Sequence, residues 1–273
     1  MQTIKSYDDL RATISSYCNA LPDQFSLLFD LLRYGTFSSA NPKDVVLNLH
    51  EEVHRMAGAA HCMGYRDLGK ELHQIERKLE HSLKSRESEM KAVLDDIAFD
   101  ITQSALIAGR IRPEDSRVLQ IGLDPEEGYN GPPLPTAQER EAMLGTKRIV
   151  YADDDRFTRD MMTTTLHSFG IRDLLCLSSG LEVLKLTHAY QPDLIIADWN
   201  MQPVNGYELM ECVRQGGTSL PPDTPMIIFT SRKDRESKLT AIQNGADRLL
   251  RKPVSPGVLC GAILYVMSLS SEK

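Results

Sequence analysis

Short, unbroken apolar runs recur through the second half of the chain, and each leads to a polar group. Arg148 to Ala152 (RIVYA) runs into Asp153 and Asp154, Leu194 to Ala197 (LIIA) into Asp198, Met226 to Phe229 (MIIF) into Thr230, and Leu249 to Leu250 up to Lys252. The runs do not alternate, and helix-like sequence separates each from the next. That is the pattern of parallel strands covered on both faces. Strands are expected near 148 to 153, 174 to 177, 193 to 198, 225 to 230 and 247 to 251, with helices between them and a last helix from about 255 to 270. A right-handed, doubly wound five-stranded sheet is the economical fold for that alternation. Such sheets bind ligands beyond the carboxyl ends of their strands. Folding would therefore gather carboxylates suited to a divalent cation, a hydroxyl and an ammonium around Asp198.

The first half reads differently. Residues 1 to 112 show helical periodicity with few breakers, and an all-helical bundle is expected, with helices near 6 to 19, 22 to 34, 42 to 62, 65 to 82 and 85 to 109. Pro22 and Pro42 read as first-turn prolines, the latter behind Asn41 as N-cap. Residues 113 to 146 carry 7 acidic against 2 basic side chains and contain DPEEGYNGPPLP, the composition of an acidic linker. Residues 147 to 273 form the third segment, with charges in balance at 15 and 15. No segment is basic, so a nucleic-acid partner has no electrostatic support. No apolar run approaches membrane-spanning length, and five scattered cysteines without CxxC spacing suit a reducing compartment, so a cytoplasmic location without membrane contact is expected.

The motifs YADDD, DLIIADWNMQPVNG, IIFTS and LLRKP, in that order, resemble the response-regulator receiver domain across residues 147 to 271. The resemblance implies a flavodoxin-like sheet of order 2-1-3-4-5. It makes Asp198 the phosphoacceptor, with Thr230 and Lys252 contacting the phosphoryl group. It also implies Mg²⁺ held by Asp154 and Asp198, by Asp153 largely through water, and by the backbone carbonyl of Asn200; hard oxygen ligands are what that ion takes. Pro253 falls where the family often has a cis bond. Two positions depart from the pattern: Gln202 stands where proline is common, with Pro203 next, and Leu249 stands where an aromatic residue is common. Asp155 reads as a helix cap.

Within residues 42 to 62, Val46, Leu49, Val53, Met56 and Ala60 form an apolar stripe, and His54 lies off it with Gly58 one turn on. The stretch HRMAGAAHCMGYRDLGKEL resembles the histidine phosphotransfer domain over roughly residues 20 to 110. By that resemblance His54 is a phosphorylatable histidine, since a neutral imidazole is nucleophilic near pH 7. Ala57 and Ala59 replace the lysine and the small hydroxyl residue often found there. His50, His61 and His73 read as structural.

Together these features imply a two-component signalling protein, a phosphoryl carrier or switch rather than an enzyme acting on other substrates. Its expected partners are a sensor histidine kinase or other phosphorelay proteins. The 113 to 146 segment, as a coil spanning on the order of 30 Å, allows transfer within one chain, docking of the strip 118 to 123, or a homodimer. The alternative is a receiver switch whose helical half serves dimerisation or partner docking, with no output enzyme or DNA-binding domain after Lys252.

Overall fold

The computed structural model describes residues 2–37, 41–84, 87–126, 129–186, 190–230, 242 and 244–270. The chain divides into two compact units, Met1–Gln120 and Ile121–Lys273. The first is helical: α1 (Gln2–Phe37), α2 (Pro42–Cys62), α3 (Arg66–Ser82), α4 (Glu87–Ala108), a 3-10 turn (Pro113–Asp115) and the short α5 (Arg117–Ile121), whose last residue belongs to the second unit.

The expected break at Pro22 is absent, because α1 passes through it. Proline has no N–H for the carbonyl four residues back and ordinarily ends or kinks a helix. Here the core outweighs that cost: Leu10, Ile14, Tyr17, Leu21, Phe25, Leu28 and Leu32 are all buried at three- and four-residue spacing on both sides of Pro22, which itself faces solvent. α2 begins as expected, with the Asn41 side chain accepting from the Lys43 N–H and Pro42 at the first position. Its stripe of Val46, Leu49, Val53, Met56 and Ala60 is fully buried.

The second unit opens with α6 (Ala137–Leu144) and continues β1 (Arg148–Ala152), α7 (Arg156–Ser168), β2 (Asp173–Leu177), α8 (Gly180–Leu184), β3 (Leu194–Asp198), α9 (Gly206–Arg214), β4 (Met226–Thr230), β5 (Arg248–Arg251) and α10 (Pro256–Ser270). The strands pair in parallel in the order β2-β1-β3-β4-β5. The helix expected between β4 and β5 falls on residues 231 to 241 and 243, outside the described residues. Two cores flank the sheet. Ile149, Tyr151, Ile196, Ile227 and Phe229 face α7 and α10, whereas Val150, Ile195, Ala197 and Ile228 face α8 and α9. This two-sided burial is why the strands carry unbroken apolar runs.

The segment 113 to 146, open from sequence to either free coil or docked strip, is largely folded in its described residues. In the first unit Ser116 Oγ donates to the Met63 carbonyl at 2.7 Å, and Leu119 is buried. In the second, Leu144 enters the core beside Leu166 and Phe169, Leu134 packs at its edge, and Tyr129 lies over Gly257 and Gly261 of α10. A Cβ on Gly261 would stand 2.6 Å from the Tyr129 hydroxyl, and one on Gly257 would overlap the Pro125 carbonyl. Fully burying a leucine is worth roughly 1.5–3 kcal/mol. Leu119 belongs to the apolar strip 118 to 123 that could dock, whereas Leu134, Leu144 and Tyr129 lie scattered through acidic, proline-rich sequence.

Candidate functional site

The carboxyl ends of β1 and β3 adjoin in the sheet, with Ala152 in register with Ala197. Asp153 and Asp154 follow the one strand and Asp198 ends the other, so ligand oxygens of the three carboxylates all lie within 4.8 Å of one another. Asp153 and Asp198 are buried, and Asp154 is the more open. Three such charges repel, and the fold supplies a cation: Lys252 Nζ lies 2.9 Å from Asp153 Oδ2 and 2.9 Å from Asp198 Oδ1. Burial works against the lysine's charge, but attraction to Asp153 and Asp198 outweighs it and holds its pKa above the ordinary value. The three carboxylates present hard oxygen donors close together, a set that suits a small divalent cation.

Main-chain bonds fix these groups. The Lys252 N–H donates to the Thr230 carbonyl at 2.9 Å, tying the end of β4 to the lysine loop, and the buried Thr230 ends the strand beside Asp198. After β3, the Trp199 N–H donates to the Phe229 carbonyl and the Gly206 N–H to the Trp199 carbonyl, closing the loop that holds Asn200. A Cβ on Gly206 would overlap the Asp198 carbonyl, so only glycine lets the loop return this closely. Asp155 caps α7, accepting from the Thr158 N–H at 2.6 Å. The Gln202-Pro203 and Lys252-Pro253 bonds are both cis.

Asp153, Asp154, Asp198 and Lys252 are therefore brought together as expected, with Thr230 and Asn200 on the adjoining strand end and loop. Tyr151 lies outside the site residues expected from sequence, and its buried hydroxyl donates to Asp153 Oδ2 at 2.8 Å. A phenol two residues before an aspartate shares its side of a strand, and that spacing was the available signal.

His54 belongs to the helical unit. Its Nδ1 lies 2.6 Å from Glu76 Oε1, and His73 Nδ1 lies 2.7 Å from the other oxygen of the same carboxylate. Burial tends to raise the pKa of Glu76, but the hydrogen bonds from His54 and then His73 hold it well below the usual carboxylate range. The His50 ring stacks on His54 at 6.3 Å, and burial lowers the His50 pKa. A Cβ on Gly58 would meet nothing within 4 Å, so packing within the unit does not demand that glycine. His61 is structural, with Nδ1 2.9 Å from the Ala57 carbonyl and its ring closely packed against Gly69. Glu76 and His73 were not singled out from sequence; a glutamate one turn after a histidine, inside the stripe of Leu72, Ile75 and Leu79, was the signal.

The fold and this acidic pocket at the point where strand order reverses define a flavodoxin-like α/β domain with its site at the switch point. Residues 149–264 match the family profile of the response regulator receiver domain. The chemotaxis protein CheY1 of Helicobacter pylori is 30% identical over 113 residues, which are 41% of this chain and 90% of that protein. Through this segment the chain belongs to the response regulator receiver family. A probable transcriptional regulator, ycf27 of Guillardia theta, is 31% identical over 125 residues, 45% of this chain and 47% of its own length. The phosphate regulon transcriptional regulatory protein PhoB of Pseudomonas aeruginosa is 30% identical over 129 residues, 46% of this chain and 53% of its own. The chain thus spans about half the length of the latter two relatives. No helix among the described residues is long and apolar enough to cross a membrane.

Proposed function

We propose that this protein is a phosphorelay component of two-component signalling, a carrier and switch that accepts a phosphoryl group on Asp198 and carries one on His54. The observation that supports the receiver half most directly is the Lys252 ammonium shared between Asp198 and Asp153 beside a third carboxylate. Asp198 would attack the phosphorus of a donor. A new O–P bond forms, the bond to the donor's nitrogen or oxygen breaks, and its electron pair leaves with the donor. Asp154 and Asp198, with the Asn200 carbonyl and Asp153 behind them, are the groups that would hold Mg²⁺, which when bound supplies charge neutralisation for the transferring oxygens. Lys252 would turn from Asp153 toward the phosphoryl group, and the Thr230 hydroxyl would bond another of its oxygens.

For His54, Glu76 supports the carrier reading. A carboxylate on Nδ1 fixes the proton there and leaves Nε2 as the unprotonated nucleophile, and open space over Gly58 leaves room for a partner's site. The buried Ala57 favours a second reading, in which the helical unit only docks partners or dimerises, because alanine stands where histidine phosphotransfer domains often carry a lysine. The test is phosphorylation with a small phosphodonor and Mg²⁺ and, separately, with a phosphorylated partner. An acyl phosphate lost in Asp198→Asn supports the receiver role, and a base-stable, acid-labile phosphate lost in His54→Gln supports the carrier. A protein that gains the first and never the second supports the docking reading.

A further inference from the structure

Tyr151 occupies a strand position in a core with Ile149, Ile196, Ile227 and Phe229, none of which has a polar side chain. Packing there asks for no hydroxyl, and a buried phenol is costly without a hydrogen-bond partner. Its partner is Asp153, at 2.8 Å on Oδ2, the same oxygen that receives Lys252. The other oxygen, Oδ1, accepts the Asp155 N–H at 3.0 Å. Asp153 is thus a buried carboxylate held from three directions, one of which is a cation shared with Asp198.

Resting on the reading of Asp198 as phosphoacceptor beside a Mg²⁺ site, we propose that Tyr151 is a positioning residue: its hydroxyl holds Asp153 in place so that Lys252 can leave it. When Lys252 turns to a phosphoryl group on Asp198, Oδ2 loses its ammonium. A buried carboxylate stripped of a donor costs free energy or swings away, and the Tyr151 hydroxyl prevents both. It also keeps the remaining edge of Asp153 facing the cation and its water shell. The ring supports the arrangement from below: Tyr151 packs at 6.2 Å on Phe229, whose ring lies 6.0 Å from Lys252 Nζ. Hydrogen bonds that orient the carboxylates of a metal site commonly govern its affinity by about 10–100-fold.

The test is a Mg²⁺ titration of the full chain, read by the fluorescence of Trp199, the single tryptophan and the neighbour of Asp198, and checked by calorimetry. In Tyr151→Phe, which keeps the ring and its packing, the Mg²⁺ dissociation constant is expected to rise about tenfold. The rate of acyl phosphate formation at saturating Mg²⁺ is expected to fall as well. Tyr151→Met should weaken binding to the same degree, because it too lacks the hydroxyl. A merely structural role would lower the melting temperature and leave the dissociation constant unmoved. A folded Tyr151→Phe or Tyr151→Met that binds Mg²⁺ within twofold of the wild type overturns the inference while leaving the metal site standing. A wild type that shows no Mg²⁺ response in either measurement overturns the metal reading itself, and the role of Tyr151 with it.

Discussion

The Lys252 ammonium stands 2.9 Å from the Asp198 carboxylate. Its removal takes from Asp153 and Asp198 the cation they share. Lys252→Met should lower the stability of the receiver unit by about 1–3 kcal/mol in EDTA, and Mg²⁺ should recover more stability in the variant than in the wild type, because the same repulsion is then relieved by the metal. Thermal melts with and without Mg²⁺ measure this. Equal Mg²⁺ stabilisation of both proteins would contradict the electrostatic account. Acyl phosphate formation should fall on the order of 100-fold, as expected when a preorganised cation is lost from a transferring phosphoryl group.

Glu76 gives the helical unit a defined acid sensitivity. Its pKa in the folded chain lies below the ordinary 4.5, so as acid is added the unfolded chain takes up this proton first. The stabilisation is therefore complete above about pH 4.5 and is lost as pH falls toward the depressed folded value. Melts followed across acid pH should show the helical signal of the wild type losing stability more steeply below pH 4.5 than that of Glu76→Gln, with the variant less stable near neutrality.

The same substitution separates carrier from dock. A charge-assisted hydrogen bond is worth about 1.5–3 kcal/mol, so Glu76→Gln should slow phosphohistidine formation about tenfold or more. Nitrogen chemical shifts of His54 should report a mixed tautomer in place of a proton fixed on Nδ1. An unchanged tautomer and an unchanged phosphorylation rate together would remove Glu76 from the carrier's chemistry.

Pro22→Ala should stabilise the protein. The exposed proline leaves the Cys18 carbonyl without its helical donor, and alanine restores the bond in a better helix former. The expected gain is about 1–3 kcal/mol, read by thermal melts, and hydrogen exchange should slow around residues 18 to 26. A loss of stability would mean that α1 relies on the proline ring itself.

The unequal legibility of the sequence has physical causes. A parallel sheet buried on both sides must write its strands as apolar runs, so RIVYA, LIIA and MIIF located β1, β3 and β4 and placed Asp198 at an edge. The clustering of Asp153, Asp154 and Lys252 around it was legible because strand ends are fixed by strand positions. Pro22 misled because a local penalty was weighed without the seven-residue stripe that spans it. Glu76 and Tyr151 stayed hidden for a related reason: each is a polar group whose partner lies across a helix pair or past a strand end, and composition around them reads as core. The linker stays undecided between coil and strap from sequence because its average character is acidic and turn-rich, while its attachment rests on Leu119, Leu134, Leu144 and Tyr129.

Gly257→Ala tests that attachment. The added methyl overlaps the Pro125 carbonyl and the Tyr129 side chain, so Pro125 and Tyr129 should lift from α10. Limited proteolysis should then cut around these residues faster by about tenfold, the factor for a contact worth roughly 1.4 kcal/mol. Unchanged cleavage would show that the helix tolerates the methyl in place.

Anyone dissecting this protein will be tempted to cut where the first strand begins. A fragment starting at Lys147 would lack Leu144, Leu134 and Tyr129, and would bare an apolar trough along α10 and beside Phe169 that the intact chain fills itself. Such a fragment would self-associate through a surface made by the knife, and a dimer seen in it would say nothing of the parent. The α/β unit becomes a portable module only when it is carried from upstream of Pro125.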